Sequence, residues 1–222
     1  AASIRLRGRY RSQAFTQPRY RPMKRAARYL ALSARWCHRR FIELPDYSGR
    51  TIKKEDFRTA IEAQLEAFGV TSSPPPKGRV TRIGIVARDY LPSYYVEKEA
   101  GSYGPNRRNI TNLGALALAL GHYGNVEVLQ PETLSVHELL SAIRDCDILV
   151  GQHGAGLANM AWLSDGSNVV ELQSPSDPPQ AFEFLASLCG VGHHPLVALT
   201  SAHGPVDVAL VLATVKQLIA KT

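Results

Sequence analysis

A histidine framed by glycines, Gly151-Gln152-His153-Gly154-Ala155-Gly156, follows the apolar run Ile148-Leu149-Val150 and precedes a segment with helix formers. Strand, glycine turn and helix in that order make a place for an anion. Glycine lets the backbone approach a ligand closely, and a helix amino terminus presents unpaired N–H groups and positive dipole potential. His153 adds a donor whose charge is set near neutral pH by its surroundings. The chemistry that fits is the binding of a diphosphate. A glycine turn also serves packing alone in many α/β proteins, so this turn needs company to carry a function.

Company comes from Arg88, at the end of the apolar stretch Val80–Ala87, and from Arg107-Arg108-Asn109-Ile110-Thr111-Asn112. Guanidinium groups bind two oxygens in a fork, so two of them converging on one helix start suit a pyrophosphate. Bound to nearby carboxylates, they would be plain surface charge. Asn112, one turn on, could hold a loop or a substrate hydroxyl. Glu171 ends the run Val169-Val170-Glu171-Leu172. A carboxylate there could accept from the hydroxyls of a ribose, or pair with one of the rim arginines.

The elements that must position these residues alternate. Strands are expected at Val80–Ala87, Val126–Leu129, Asp147–Val150, Asn168–Leu172 and His194–Ala198. Helices are expected at Lys53–Phe68, Arg108–Tyr123, Ser135–Asp145, Gly156–Leu163, Pro179–Leu188 and Val206–Ala220. Ser135 with Glu138 forms a capping-box pattern at the start of one of them. Apolar strands separated by helices predict an α/β fold, a Rossmann-like parallel sheet with helices on both faces. The long loop from Asp89 to Asn106 carries four tyrosines and leaves the carboxyl end of the first strand, where ligands bind in such sheets.

Charge divides the chain. Residues 1–42 hold eleven Arg and one Lys and no acidic residue; the net charge of the whole is +7. Twelve basic groups there leave 14 basic against 19 acidic in the rest, so the arm is positive and the remainder negative. Residues 1–42 read as a basic amino-terminal extension, with an extended part over 1–22 and a helix over 23–42. Residues 43–78 read as a helix and the proline linker Ser72–Gly78, and residues 79–222 as the Rossmann-like domain that carries the glycine turn. Such an arm could take RNA or another acidic partner. The first residue is Ala1, which fits a processed or truncated product. Cys37, Cys146 and Cys189 have no metal-type spacing, and buried thiols are expected for the last two. No bound metal is expected.

In order and spacing, Arg88, then Arg108-x-Ile110-x-Asn112, then Asp147-Ile148-Leu149-Val150-Gly151-x-His153-Gly154-Ala155-Gly156-Leu157-x-Asn159, then Val170-Glu171-Leu172 resemble glycosyltransferase family 61. The resemblance covers roughly Arg79 to Val197. It implies half of a GT-B fold, in which two Rossmann-like domains face a cleft. It further implies inverting, metal-independent transfer from a nucleotide sugar, typically UDP-linked, to a glycan or protein acceptor, with no cofactor beyond that donor. Arg88, Arg108 and His153 would be the catalytic groups, stabilising the leaving diphosphate. Asn112, Gly154, Ala155, Gly156 and Glu171 would contact the nucleotide sugar, Glu171 at the ribose. The resemblance leaves the base that deprotonates the acceptor unassigned; Asp89 and Glu97 are the candidates in the loop.

A non-enzymatic alternative is a family-61-like domain recruited into a ribosome-like ribonucleoprotein through its arm. An active eukaryotic transferase is expected in the ER or Golgi lumen, and the alternative in an organelle or the cytoplasm. A dinucleotide-binding oxidoreductase is disfavoured, because the first strand lacks a G-x-G-x-x-G turn after it.

Overall fold

A computed structural model describes residues 4–7, 53–70, 78–88, 108–177 and 182–221. Its centre is a six-stranded, all-parallel sheet. In chain order the strands are β1 (Ile4–Arg7), β2 (Arg82–Val86), β4 (Asn125–Leu129), β5 (Ile148–Gln152), β6 (Asn168–Gln173) and β7 (Gly192–Val197). Their spatial order is β1-β4-β2-β5-β6-β7. Two-residue strands β3 (Asn109–Ile110) and β8 (His203–Gly204) pair in parallel beside it. The helices are α1 (Lys54–Ala67), α2 (Leu113–Leu120), α3 (Val136–Arg144), α4 (Glu183–Cys189) and α5 (Val208–Ile219), with a 3-10 helix at Ala155–Trp162.

The strands alternate side chains between two cores, as their two-residue period requires. Ile83, Ile85, Val126, Val128, Ile148, Val150, Val170 and Leu172 pack under α2 and α5 with Leu116, Leu120, Val211 and Val215. Val86, Leu129, Leu149 and Val169 pack on the opposite face with Ile143, Leu157, Met160 and Cys189. Ile61, Leu65 and Val70 seat α1 against Leu140 of α3. Arg58 and Arg144 fasten the same corner: both donate to the Leu163 carbonyl at 3.0 Å and both bond Glu62. The α/β fold with helices on both faces is therefore present.

Four expectations change. The helix expected from Arg108 begins only at Leu113, because Asn109 and Ile110 pair with β8 instead. The helix expected from Gly156 to Leu163 is a 3-10 helix that starts at Ala155. The last strand is Gly192–Val197 rather than His194–Ala198. Residues 4–7, read as part of an extension outside the domain, form the edge strand on β4. Ile-Arg-Leu-Arg has the alternation of an edge strand, which the run of arginines concealed. The helix expected at 23–42, the prolines of the linker, the tyrosine loop and its Asp89 and Glu97 lie outside the described residues. Among the described residues no helix is long and apolar enough to cross a membrane.

Candidate functional site

Without its edge strand β1, the sheet reads second, first, third, fourth, fifth in chain order: β4-β2-β5-β6-β7. Chains leave β2 and β5 in opposite directions, so a crevice opens between their carboxyl ends. Open α/β sheets bind ligands at such a switch point. Arg88 leaves the end of β2, and His153 and Gly154 leave the end of β5. A cleft there is walled by Val86, Ala87, Ile110 and Leu113, with Arg88, Asn109 and Gln152 as its polar groups.

Arg108 reaches the same point from β3. Its Nη1 donates to the His153 carbonyl, and its Nη2 lies 3.1 Å from Asp177 Oδ1. Three ties hold the segment that carries it. β3 pairs with β8; Asn112 exchanges two hydrogen bonds with the Val206 backbone, at 2.9 and 2.8 Å; and Gln152 Nε2 donates to the Ala202 carbonyl at 2.5 Å. Asn112 thus fixes the loop entering α5 with both of its amide atoms.

The glycines have a stated reason. Gly154 has φ 138°, a backbone region that side chains rarely enter. A Cβ at Gly154 would lie 2.7 Å from Arg108 Nη1 and 3.3 Å from Arg88 Nη2. A Cβ at Gly156 would also lie 3.3 Å from Arg88 Nη2. The two guanidiniums therefore converge over the turn, and the bare backbone beneath gives them room. Ala155 opens the 3-10 helix on the exposed side, so its N–H stands among the helix-start donors that lack intrahelical partners.

His153 is buried, and its backbone N–H bonds the Leu172 carbonyl at 2.9 Å. Its ring meets Phe182 edge to face, with centroids 5.4 Å apart. Its Nδ1 lies 2.5 Å from Glu171 Oε1. Glu171 differs from its expected place at a ribose. It is 0% exposed, and its two oxygens are taken by imidazoles, Oε2 lying 2.7 Å from His193 Nε2. A glutamate on the inward face of a strand end turns to the donors packed on it.

Two residues here were not legible beforehand. Asp177, on the turn after β6, accepts from both the N–H and the hydroxyl of Ser174 at 2.8 Å. Burial pushes its carboxyl up, but the Ser174 bonds and the charges of His153 and Arg108 outweigh this and hold it below its ordinary value. The Ser-x-x-Asp spacing of that turn was a usable signal. His193 was hidden among strand residues; the polar pair His193-His194 opening an otherwise apolar strand pointed to it. Among the described residues no group of three or more His, Cys, Asp or Glu is placed to hold a metal ion.

A turn, a histidine and two arginines meeting at the switch point agree with one comparison. The model of the family described as glycosyltransferase 61 matches residues 13–170. The chain belongs to glycosyltransferase family 61. The match contains Arg88, Arg108, Asn112, His153 and the glycine turn, and stops one residue short of Glu171. It begins inside the basic arm and crosses the linker, so the family's region reaches well before the resemblance read from Arg79 onward. No curated protein matches the chain.

Proposed function

We propose that this family 61 domain binds the diphosphate of a nucleotide sugar, UDP-linked, over the turn His153–Gly156, and serves inverting transfer to a glycan or protein acceptor without a metal. The observation that carries it is the meeting of Arg88 and Arg108 over Gly154. Both guanidiniums reach the same bare turn, where Cβ positions at Gly154 and Gly156 would touch them. A diphosphate laid there would meet charge-assisted donors from the two arginines and further N–H donors from the start of the 3-10 helix. As the bond to the sugar breaks, charge grows on the diphosphate, and fixed donors aimed at it lower the barrier. That takes over the part a divalent cation plays elsewhere. The nucleoside would lie towards the neighbouring cleft, whose lining includes the apolar Val86, Ile110 and Leu113 and the polar Asn109 and Gln152.

The test is calorimetric titration of the whole chain with UDP and UDP-N-acetylglucosamine in the presence of a chelator. Binding is expected, and Arg108→Ala and His153→Ala are each expected to weaken it by about tenfold or more, the worth of one charge-assisted hydrogen bond. No binding, or binding by both variants as tight as that of the wild type, overturns the proposal.

A further inference from the structure

We infer that His193 is a positioning residue of the donor site: through Glu171 it determines which nitrogen of His153 carries the proton and so which nitrogen meets the ligand. The inference rests on the reading of His153 as a diphosphate contact. It concerns a residue outside the matched span of residues 13–170.

The argument begins with a carboxylate sealed from water. Glu171 is 0% exposed, and a buried carboxylate must be met by donors. It has one on each oxygen: His153 Nδ1 at 2.5 Å on Oε1 and His193 Nε2 at 2.7 Å on Oε2. An ionised carboxylate only accepts, so both of those nitrogens carry hydrogen. Neutral His153 is therefore the Nδ1–H tautomer, and its Nε2 holds the lone pair. A second proton can go only to Nε2, where it becomes a donor for a phosphate oxygen. Proton position and ring orientation are thus set from behind, as a carboxylate sets a catalytic imidazole in hydrolases.

Glu171 alone could rotate about its last bond and offer His153 either oxygen at varied angles. His193 removes that freedom by claiming the second oxygen. Sheet register makes this reach: Glu171 stands opposite Pro195 on β7, and His193 is the diagonal neighbour two residues earlier on the same face. The His153 ring is held on another side by Phe182, and its carbonyl is held by Arg108. The charged and titratable groups around the pair are Arg108 and Asp177 on the His153 side and His194 beside His193. Among the described polar groups, the two imidazoles alone are bonded to this carboxylate.

The experiment pairs a spectroscopic reading with a binding one, both on the full chain. Two-bond nitrogen–proton correlation spectra of the 15N-labelled protein report the tautomer of each histidine; His153→Gln assigns the signals. Wild type is expected to show His153 protonated on Nδ1. His193→Leu is expected to mix the His153 tautomers and to weaken binding of inorganic pyrophosphate about tenfold. His193→Gln, whose amide can still donate to Oε2, is expected to restore both. A wild-type His153 protonated on Nε2 overturns the inference. So does His193→Leu with unchanged His153 signals and affinity, or a His193→Gln that folds yet behaves as Leu does. Should His193→Leu fail to fold, the wild-type tautomer and the Gln variant still decide. If wild type binds no pyrophosphate while its His153 is the Nδ1–H form held by Glu171, the donor-site reading falls and the positioning device stands.

Discussion

Asp177 occupies the side of Arg108 that faces the turn's end, its Oδ1 3.1 Å from Nη2, while the other guanidinium nitrogen is bonded to the His153 carbonyl. The pair is largely buried, with side-chain exposures of 16% and 4%. A carboxylate there competes with any phosphate for the same fork. Asp177→Asn keeps the shape and removes the charge. It is expected to raise the affinity for pyrophosphate several-fold in titration calorimetry. An unchanged or lower affinity would show that Arg108 keeps a full donor face for the ligand beside Asp177.

The same pair gives the fold an acid-sensitive contribution. Asp177 has its carboxyl held below the ordinary value of 3.8 by Ser174, His153 and Arg108, against the pull of burial. A carboxyl depressed in the folded state stabilises it above the unfolded value, and that stability is lost as pH falls through the lowered value. Wild type is therefore expected to exceed Asp177→Asn in unfolding free energy from urea titration at neutral pH, by on the order of 1 to 2 kcal/mol. The gap should close on acidification below about pH 4. A gap that persists in acid, or that opens there, would contradict the assignment.

The helices and strands of the two cores could be read in advance because their apolar periodicity is set by burial, and the Ser135–Glu138 capping box reads directly from its spacing. Arg88 and His153 could be placed at one rim because they follow the ends of neighbouring strands, whereas Arg108 reaches it through the pairing of β3 with β8. What could not be read is how polar side chains divide among partners. Asn112 turned to the Val206 backbone, and Glu171 to two histidines, because those partners come from segments 94 and 18 to 22 residues away. No local pattern encodes such a choice. β3 failed for the same reason: its pairing with β8 is worth more to Asn109 and Ile110 than one further helical turn.

Asn112→Ala tests that long-range tie. It strands the Val206 N–H and carbonyl, both now satisfied by the amide at 2.8 and 2.9 Å. A partly buried pair of lost hydrogen bonds costs about 1–3 kcal/mol. Equilibrium unfolding should show that loss, and hydrogen exchange should rise first in the segment before α5. Asn112→Asp can still accept from the Val206 N–H but cannot donate, so an intermediate loss is expected. Equal stability of all three proteins would remove the tie from the account.

Two thiols should resist reagents while the chain is folded. Cys146 is buried, its Sγ 3.2 Å from the Ala142 carbonyl, and burial first, then nearby carboxylates, push its pKa up to about 12. Burial likewise raises Cys189 to about 11. Reactivity follows the thiolate, so at mildly alkaline pH neither should react at an appreciable rate. Iodoacetamide labelling with peptide mapping is expected to leave both unmodified until denaturant is added. Labelling of Cys146 in the native protein would mean that α3 opens readily, since its Sγ also blocks a Cβ at Gly84, 2.6 Å away.

Gly154 and Gly166 separate backbone strain from ligand geometry. Both have positive φ, 138° and 81°, so alanine is strained at each. At Gly166 nothing lies within 4 Å of the new methyl, and the cost is conformational alone, about 1–2 kcal/mol. At Gly154 the methyl would stand 2.7 Å from Arg108 Nη1 and must push that guanidinium away. Gly166→Ala is therefore expected to lower thermal stability and leave pyrophosphate affinity as it was. Gly154→Ala should lower both, affinity by about tenfold or more, since it displaces one guanidinium and crowds the other. If the two variants lose stability alike and both keep full affinity, the guanidiniums do not need the bare turn, and the convergence of Arg88 and Arg108 over Gly154 is a packing arrangement rather than a binding one.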